Sequence, residues 1–127
     1  MWGKNKFNTL KRDYRMDHIN RIELQGRVGN VRMNEYNGSK VVNFSLVTEL
    51  FYKTRDGGPM SETTWHNIVA WENREINDLH LIEKGAAVYV CGRLRSVKHT
   101  NQEGVEKTFY EVLASKLKIV NETTELQ

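Results

Sequence analysis

The chain has 127 residues with one cysteine and one proline, which is the size of a small domain with a single core. A lone Cys91 cannot form an internal disulfide or complete a zinc cluster, so we expect a reducing compartment and neither a metal nor another cofactor. No apolar run approaches the about 20 residues that a membrane span needs, and no signal peptide is visible. The composition therefore predicts a soluble, cytoplasmic protein.

The net charge of +3 lies entirely at the N-terminus. Residues 1–20 carry five basic and two acidic side chains, which leaves 14 of each sign in the rest of the chain. A basic arm of this kind is consistent with nucleic-acid contact, although a solubilising tail would have the same composition.

The first half of the chain predicts three strands. Apolar residues alternate over 21–32, and Asn37-Gly38 marks a turn before a long alternating run over 40–52. A second turn at 56–59 leads into a strand around Trp65.

The second half predicts one short helix followed by two strands. Over 73–84, four residues fall on one helical face, with Gly85 just past its end; these are Ile76, Leu79, His80 and Ile82. Alternation returns over 86–98, with Val88, Val90 and Leu94 facing inward, and the polar tip 101–104 precedes a last strand over 107–120. Three strands, a helix and two strands indicate an all-β, five-stranded OB-fold barrel.

Strand 3 carries two tryptophans on one face. Alternation places Trp65, Asn67, Val69 and Trp71 together, while His66, Ile68 and Ala70 face the interior or a neighbouring subunit. Buried aromatics are the usual case, so this segment alone leaves a core role open. OB-folds bind ligands through the face of strands 2 and 3, and this position favours a platform on which unpaired bases stack.

Four segments, in order and at matching spacing, resemble the bacterial-type single-stranded DNA-binding protein family. They are 20–29 (NRIELQGRVG), 41–48 (VVNFSLVT), 63–66 (TTWH) and 84–95 (KGAAVYVCGRLR), and the resemblance covers about residues 20–120. It implies a homotetramer of barrels that wraps single-stranded DNA over aromatic and basic side chains, without strong sequence specificity. It further implies a role in DNA replication, recombination and repair, and no catalysis.

The resemblance also implies the DNA-contacting aromatic residues. Trp65 stands at the family's stacking tryptophan, and Trp71 stands where a phenylalanine is usual. Tyr52 falls where a tryptophan is frequent, although a register shift would place Phe51 there, and His99 replaces a further tryptophan.

Polar and charged positions complete the expected site. The basic residues near the proposed groove, any of which could equally be an ordinary surface charge, are Lys53, Arg55, Arg74, Lys84, Arg93, Arg95, Lys98 and Lys107. Asn67 and Asn73 stand where the family commonly has arginine and lysine, so we expect weaker phosphate binding. His66 and Tyr89 resemble residues of the subunit interface.

We divide the chain into a basic arm (1–19), the barrel (20–120) and a short C-terminal end (121–127). Family members usually continue into a flexible linker and an acidic tip that recruits other proteins, and we expect this recruitment to be missing here. A dimeric, primosome-type accessory barrel and a barrel used only for protein association are the alternative interpretations. An enzyme is not indicated, because the chain has no phosphate loop, metal-ligand cluster or Ser/His/Asp arrangement.

Overall fold

A computed structural model describes residues 16–76 and 78–121, so most of the predicted arm lies outside the described residues. The five strands are β1 (Ile22–Tyr36), β2 (Ser39–Lys53), β3 (Pro59–Trp71), β4 (Ala87–Thr100) and β5 (Glu106–Ile119). They close into a barrel in the order β1-β2-β3-β5-β4, which confirms the all-β, five-stranded prediction. Within the described part of the chain, no helix is long and apolar enough to cross a membrane.

Strand alternation fills the barrel with aliphatic side chains. Val42, Phe44 and Leu46 of β2 are buried, as are Ile68 and Ala70 of β3. The β1–β2 connection is the predicted two-residue turn, and both of its residues have positive φ, 51° at Asn37 and 83° at Gly38. This backbone conformation is the one that joins tightly paired, right-twisted strands, so the turn fixes the register of the β1–β2 hairpin.

The segment between β3 and β4 is far less helical than the predicted helix over 73–84. Among the described residues of this segment, only Leu79–Leu81 form a helical turn, of the 3-10 type. The side-chain Oδ1 of Asn73 accepts hydrogen bonds from the N–H groups of Glu75 (2.8 Å) and Ile76 (2.9 Å), and Asp78 is left-handed at φ 54°. Both features interrupt an α-helical hydrogen-bond ladder before it can propagate.

The same segment nevertheless contributes to the core. Ile76, Leu79 and Ile82 are buried and belong to the main hydrophobic cluster. His80, which we placed on the same face, is exposed instead. The three buried residues are spaced by three, which is the repeat of a 3-10 helix rather than of an α-helix.

Two β-ribbons extend from one end of the barrel. We call them the β2–β3 ribbon, which ends at the pair Lys53–Pro59, and the β4–β5 ribbon, which ends at Thr100–Glu106. β3 and β5 run parallel and pair only at Ile68–Val112 and Val69–Leu113, so both ribbons leave from the same end. Leu94, predicted to face inward, is 43% exposed near the start of the β4–β5 ribbon.

Candidate nucleic-acid interface

The two tryptophans of β3 lie on the outside of the barrel. Trp65 is 61% exposed and Trp71 is 38% exposed, so the core interpretation of both rings is wrong. Val69, on the same side of β3, is only 6% exposed, and Val41, the cross-strand partner of Trp71, is also buried. This outer face therefore contains both exposed aromatic rings and buried aliphatic side chains.

Trp65 lies against a glycine on β1. A Cβ atom on Gly29 would stand 2.7 Å from the Trp65 ring and 2.5 Å from Ser45 Oγ, closer than such atoms approach in proteins. The ladder is irregular here, and the N–H of Asn30 donates a hydrogen bond to Ser45 Oγ at 2.9 Å. Only glycine leaves room for the indole to lie across β2 toward β1.

A cation lines the same cleft as this ring. Trp65, Gly29, Asn30, Ser45 and Lys84 line an open cleft of about 360 Å³. A flat ring next to an ammonium group offers stacking to a base and a counter-charge to its phosphate, which are the two interactions that single-strand binders combine.

Trp71 has an aromatic neighbour that we did not predict. The Tyr36 ring lies 6.0 Å from the Trp71 ring, centroid to centroid, with 49° between the planes. Tyr36 is the last residue of β1, four residues beyond the predicted end of the strand. Extending that strand to the Asn37-Gly38 turn would have placed Tyr36 at the edge of the site.

A row of polar residues crosses the sheet between the tryptophans. It runs through Asn30, Ser45, Asn67, Glu111 and Arg95. Ser45 pairs with Asn67, and the parallel register of β3 and β5 brings Glu111 next to Asn67. Arg95 donates from Nε to Glu111 Oε1 at 2.7 Å, and its Nη2 lies 2.7 Å from the same oxygen. The row borders a cleft of about 400 Å³, which we call the amide cleft.

The ribbons carry the other predicted aromatics. The β2–β3 ladder has continuous register from Val47–Trp65 to Phe51–Ser61. Because cross-strand partners share a face and alternate residues return to it, Phe51 lies on the Trp65 side and Tyr52 on the opposite side. Phe51 is also the more exposed of the two, at 72%.

On the β4–β5 ribbon, His99 pairs with Lys107, and the next pair on the same face is Val97–Phe109. Phe109 is half-exposed, so this face has an aromatic ring besides His99. We did not predict it, because its position opposite Val97 depends on the hairpin register.

The structure separates the predicted cations into three groups. Lys84 lines the same cleft as Trp65, while Lys53 and Arg55 are at the end of the β2–β3 ribbon. Arg93 and Arg95 share the outer face of β4, where Arg95 is neutralised by Glu111.

The third group belongs to the β4–β5 ribbon. Lys98 lies 3.8 Å from a Glu106 oxygen, and Lys107 is opposite His99. Arg32 lines the amide cleft and is a cation that we did not predict. Lys84 and Arg32 are therefore the cations that line the two clefts described on the outer face of β1–β3.

The two predicted interface residues are placed differently. His66 is half-buried, its Nε2 lies 2.9 Å from Thr48 Oγ1, and burial lowers its pKa. Tyr89 lies on the β1–β4 wall and donates a hydrogen bond to the Glu23 carboxylate, which raises the pKa of Tyr89 to about 12. The same bond, helped by Arg21, lowers the pKa of Glu23.

The strand order defines an OB-fold, a class of barrel that binds ligands through the face of strands 2 and 3, and here that face of β3 carries exposed aromatic rings. The chain belongs to the single-strand binding protein family, whose model matches residues 19–120. This membership confirms the predicted resemblance.

Similar proteins cover the same region. The single-stranded DNA-binding protein of Neisseria meningitidis serogroup A is 33% identical over 104 residues, which are 80% of this chain and 60% of that protein. The Xanthomonas axonopodis protein of the same name is 34% identical over 80% of this chain and 58% of its own length. The chain thus spans about three fifths of the length of these curated relatives.

Two solved structures are also similar. The Plasmodium falciparum SSB complex with ssDNA has a TM-score of 0.73 and 33% identity, covering 84% of this chain and 99% of that chain. A Thermus aquaticus single-stranded DNA binding protein, solved as a deletion mutant, has a TM-score of 0.66 at 20% identity, covering 81% and 51%, and supports the fold alone.

Proposed function

We propose that this chain binds single-stranded DNA, chiefly by stacking bases on Trp65 and Trp71 and by pairing phosphates with nearby cations. The exposed indole of Trp65 carries the proposal, because it shares a cleft with Lys84 on the face through which OB-folds bind ligands. A relative of similar sequence forms a complex with ssDNA. Stacking tolerates every base, so this mode of binding fits the protection of DNA during replication, recombination and repair.

The spacing of the rings supports stacking on separate nucleotides. Trp65 and Trp71 are six residues apart on one strand, or about 20 Å at the usual rise. One base cannot span that distance, so the two rings hold different bases and the strand must cross the polar row between them. Binding of this kind needs no catalytic group, and we propose that the chain acts by binding alone.

Tryptophan emission tests the proposal directly. The chain has three tryptophans, and Trp2 lies outside the described residues, so a Trp2→Phe variant isolates the signal of Trp65 and Trp71. Titration with oligo(dT) should quench the emission to saturation, in parallel with a rise in anisotropy of a labelled oligonucleotide. A chain that changes neither signal would not be a single-strand binder, and a barrel for protein association would then be favoured.

We also propose that the chain assembles with itself, as a homotetramer. Apolar side chains that the single barrel leaves exposed, including Leu50, Leu94 and Tyr110, support this. His66 and Tyr89 are the residues that the family resemblance assigns to the contact. Light scattering at micromolar concentration tests the oligomeric state. A stable monomer would contradict assembly, and a dimer would favour the primosome-type alternative.

The cellular location follows from the same reasoning. The single cysteine, Cys91, is a buried free thiol, which suits a reducing compartment. We therefore propose that the protein acts in the cytoplasm, and fractionation of cells with an antibody to the chain tests this location.

A further inference from the structure

The amide cleft contains hydrogen-bonding groups that the protein itself does not use. Its lining includes Asn43, Asn67 and Glu111. Within residues 16–76 and 78–121, neither asparagine side chain takes part in a hydrogen bond, and both contacts from Arg95 go to Oε1 of Glu111. The cleft therefore presents two free amides and one carboxylate oxygen, Oε2, to a ligand.

The position of the cleft determines what ligand passes over it. Asn67 shares the outer face of β3 with both tryptophans, about 7 Å along the strand from Trp65 and about 14 Å from Trp71. A DNA strand that stacks on both rings has at least one nucleotide between them. If the proposed function holds, a base edge lies within reach of this cleft.

We propose that the amide cleft selects a base with an amino group at C4 of a pyrimidine or C6 of a purine, cytosine or adenine, over thymine or uracil. An asparagine amide alone does not discriminate, because rotation by 180° exchanges its donor and acceptor. The Glu111 carboxylate does discriminate, because its ionised oxygens can only accept hydrogen bonds. The amino group of cytosine or adenine donates to it, whereas thymine and uracil present at the same position O4, which repels it, and have only the ring N3–H as a donor.

The same pairings are used when proteins read duplex DNA. Asparagine pairs with adenine, and acidic side chains accept from the amino group of cytosine. Here Arg95 holds Glu111 with two contacts to one oxygen, which orients the carboxylate next to Asn67. The selectivity is expected at one nucleotide position only, while stacking on the tryptophans stays tolerant of sequence.

Deoxycytidine and deoxyuridine oligonucleotides form the sharpest comparison, because the two bases have the same ring size and neither has a methyl group. Oligomers of about 8 nucleotides fall within the range that one OB-fold covers. We expect the cytidine oligomer to bind about 5-fold more tightly, at the low end of the discrimination that a good base contact gives. Equal affinities, or tighter binding of the uridine oligomer, would overturn the proposal.

Two substitutions locate the effect. Glu111→Gln replaces the acceptor by an amide that can also donate, and Asn67→Ala removes the amide that would hold the base edge against Glu111 with a second hydrogen bond; each should bring the affinity ratio toward one. Asn34→Ala is the matched control, because Asn34 lies on the same face of β1 and β2, opposite Val41, but does not line the cleft. A ratio that persists in both cleft variants would place the selectivity elsewhere and refute the assignment.

The controls separate this inference from the function on which it rests. Thermal melting shows whether Glu111→Gln, which alters the contact with Arg95, still folds; if it does not, Asn67→Ala decides the outcome. If neither oligomer binds the unmodified chain, the proposed function fails. If both bind and quench tryptophan emission equally, only the base selection fails.

Discussion

Replacing Trp65 by alanine separates a binding ring from a structural one. The side chain is 61% exposed, so its loss removes little buried apolar surface and should leave the barrel folded. Stacking of a base on an aromatic side chain contributes about 1–3 kcal/mol, so oligo(dT) affinity should fall about 5- to 150-fold. Trp65→Phe keeps a smaller ring and should lose less.

Gly29 provides an independent way to disturb the same ring. In Gly29→Ala the new Cβ would stand 2.7 Å from the ring and 2.5 Å from Ser45 Oγ, so the indole or the serine has to move. We expect weaker DNA binding in this variant although the ring itself is retained. The loss should be smaller than for Trp65→Ala, because a displaced indole still offers a face to a base.

Both effects are measured by fluorescence anisotropy of a labelled oligo(dT), with thermal melting of each variant in parallel. The Tyr36–Trp71 ring pair lies elsewhere on the face and is unchanged in both variants, so residual binding is expected. Loss of the folded state in Trp65→Ala would refute the assignment of this ring to the binding surface. A folded variant whose affinity falls less than about twofold would refute its role in stacking.

Three other measurements test separate parts of the site. The register of the β2–β3 ladder places Phe51 on the same side as Trp65, so Phe51→Ala should weaken oligo(dT) binding more than Tyr52→Ala. The reverse order would show that the twisted ribbon presents Tyr52 to DNA instead. Deleting residues 1–17 should flatten the plot of log affinity against log salt if the arm contacts phosphates, whereas coinciding lines would exclude that contact. Burial lowers the pKa of His66, so the unfolded chain binds the proton more readily than the folded chain. The free energy of unfolding should therefore fall as the pH drops below 6.5, the ordinary pKa of histidine. His66→Gln should reduce this fall in melting experiments, and an unchanged pH profile would exclude His66 as its source.

The strands were predictable because their signal is local. Alternation along one strand is enough to place Trp65 and Trp71 together and His66, Ile68 and Ala70 opposite them, and the structure agrees. The Asn37-Gly38 turn was equally predictable from the sequence, because few other residue pairs adopt two positive φ angles at low energetic cost.

The predicted helix over 73–84 is wrong because the spacing of its apolar residues fits both an α-helix and a 3-10 turn. Residues three apart fall close together on an α-helix as well as on a 3-10 turn, so Ile76, Leu79 and Ile82 fit both. The Asn73 side chain decides the outcome by capturing two N–H groups in a turn. Helix propensity and periodicity do not include this competition, in which a short polar side chain satisfies the backbone locally.

The parts of the site that sequence reasoning missed all depend on pairing between strands. The sequence predicts Arg95 as one of the cations near DNA but does not reveal that the β4–β5 register places it opposite Glu111, with which it forms an ion pair. The β3–β5 register then sets Glu111 beside Asn67. A single strand carries no information about its neighbour's register, which is fixed by turn lengths and by the closure of the barrel. The placement of the two tryptophans follows from one strand, whereas the amide cleft is built from β1, β2, β3 and β5. In our proposal, Glu111 makes Asn67 part of a base-reading site rather than a missing phosphate contact.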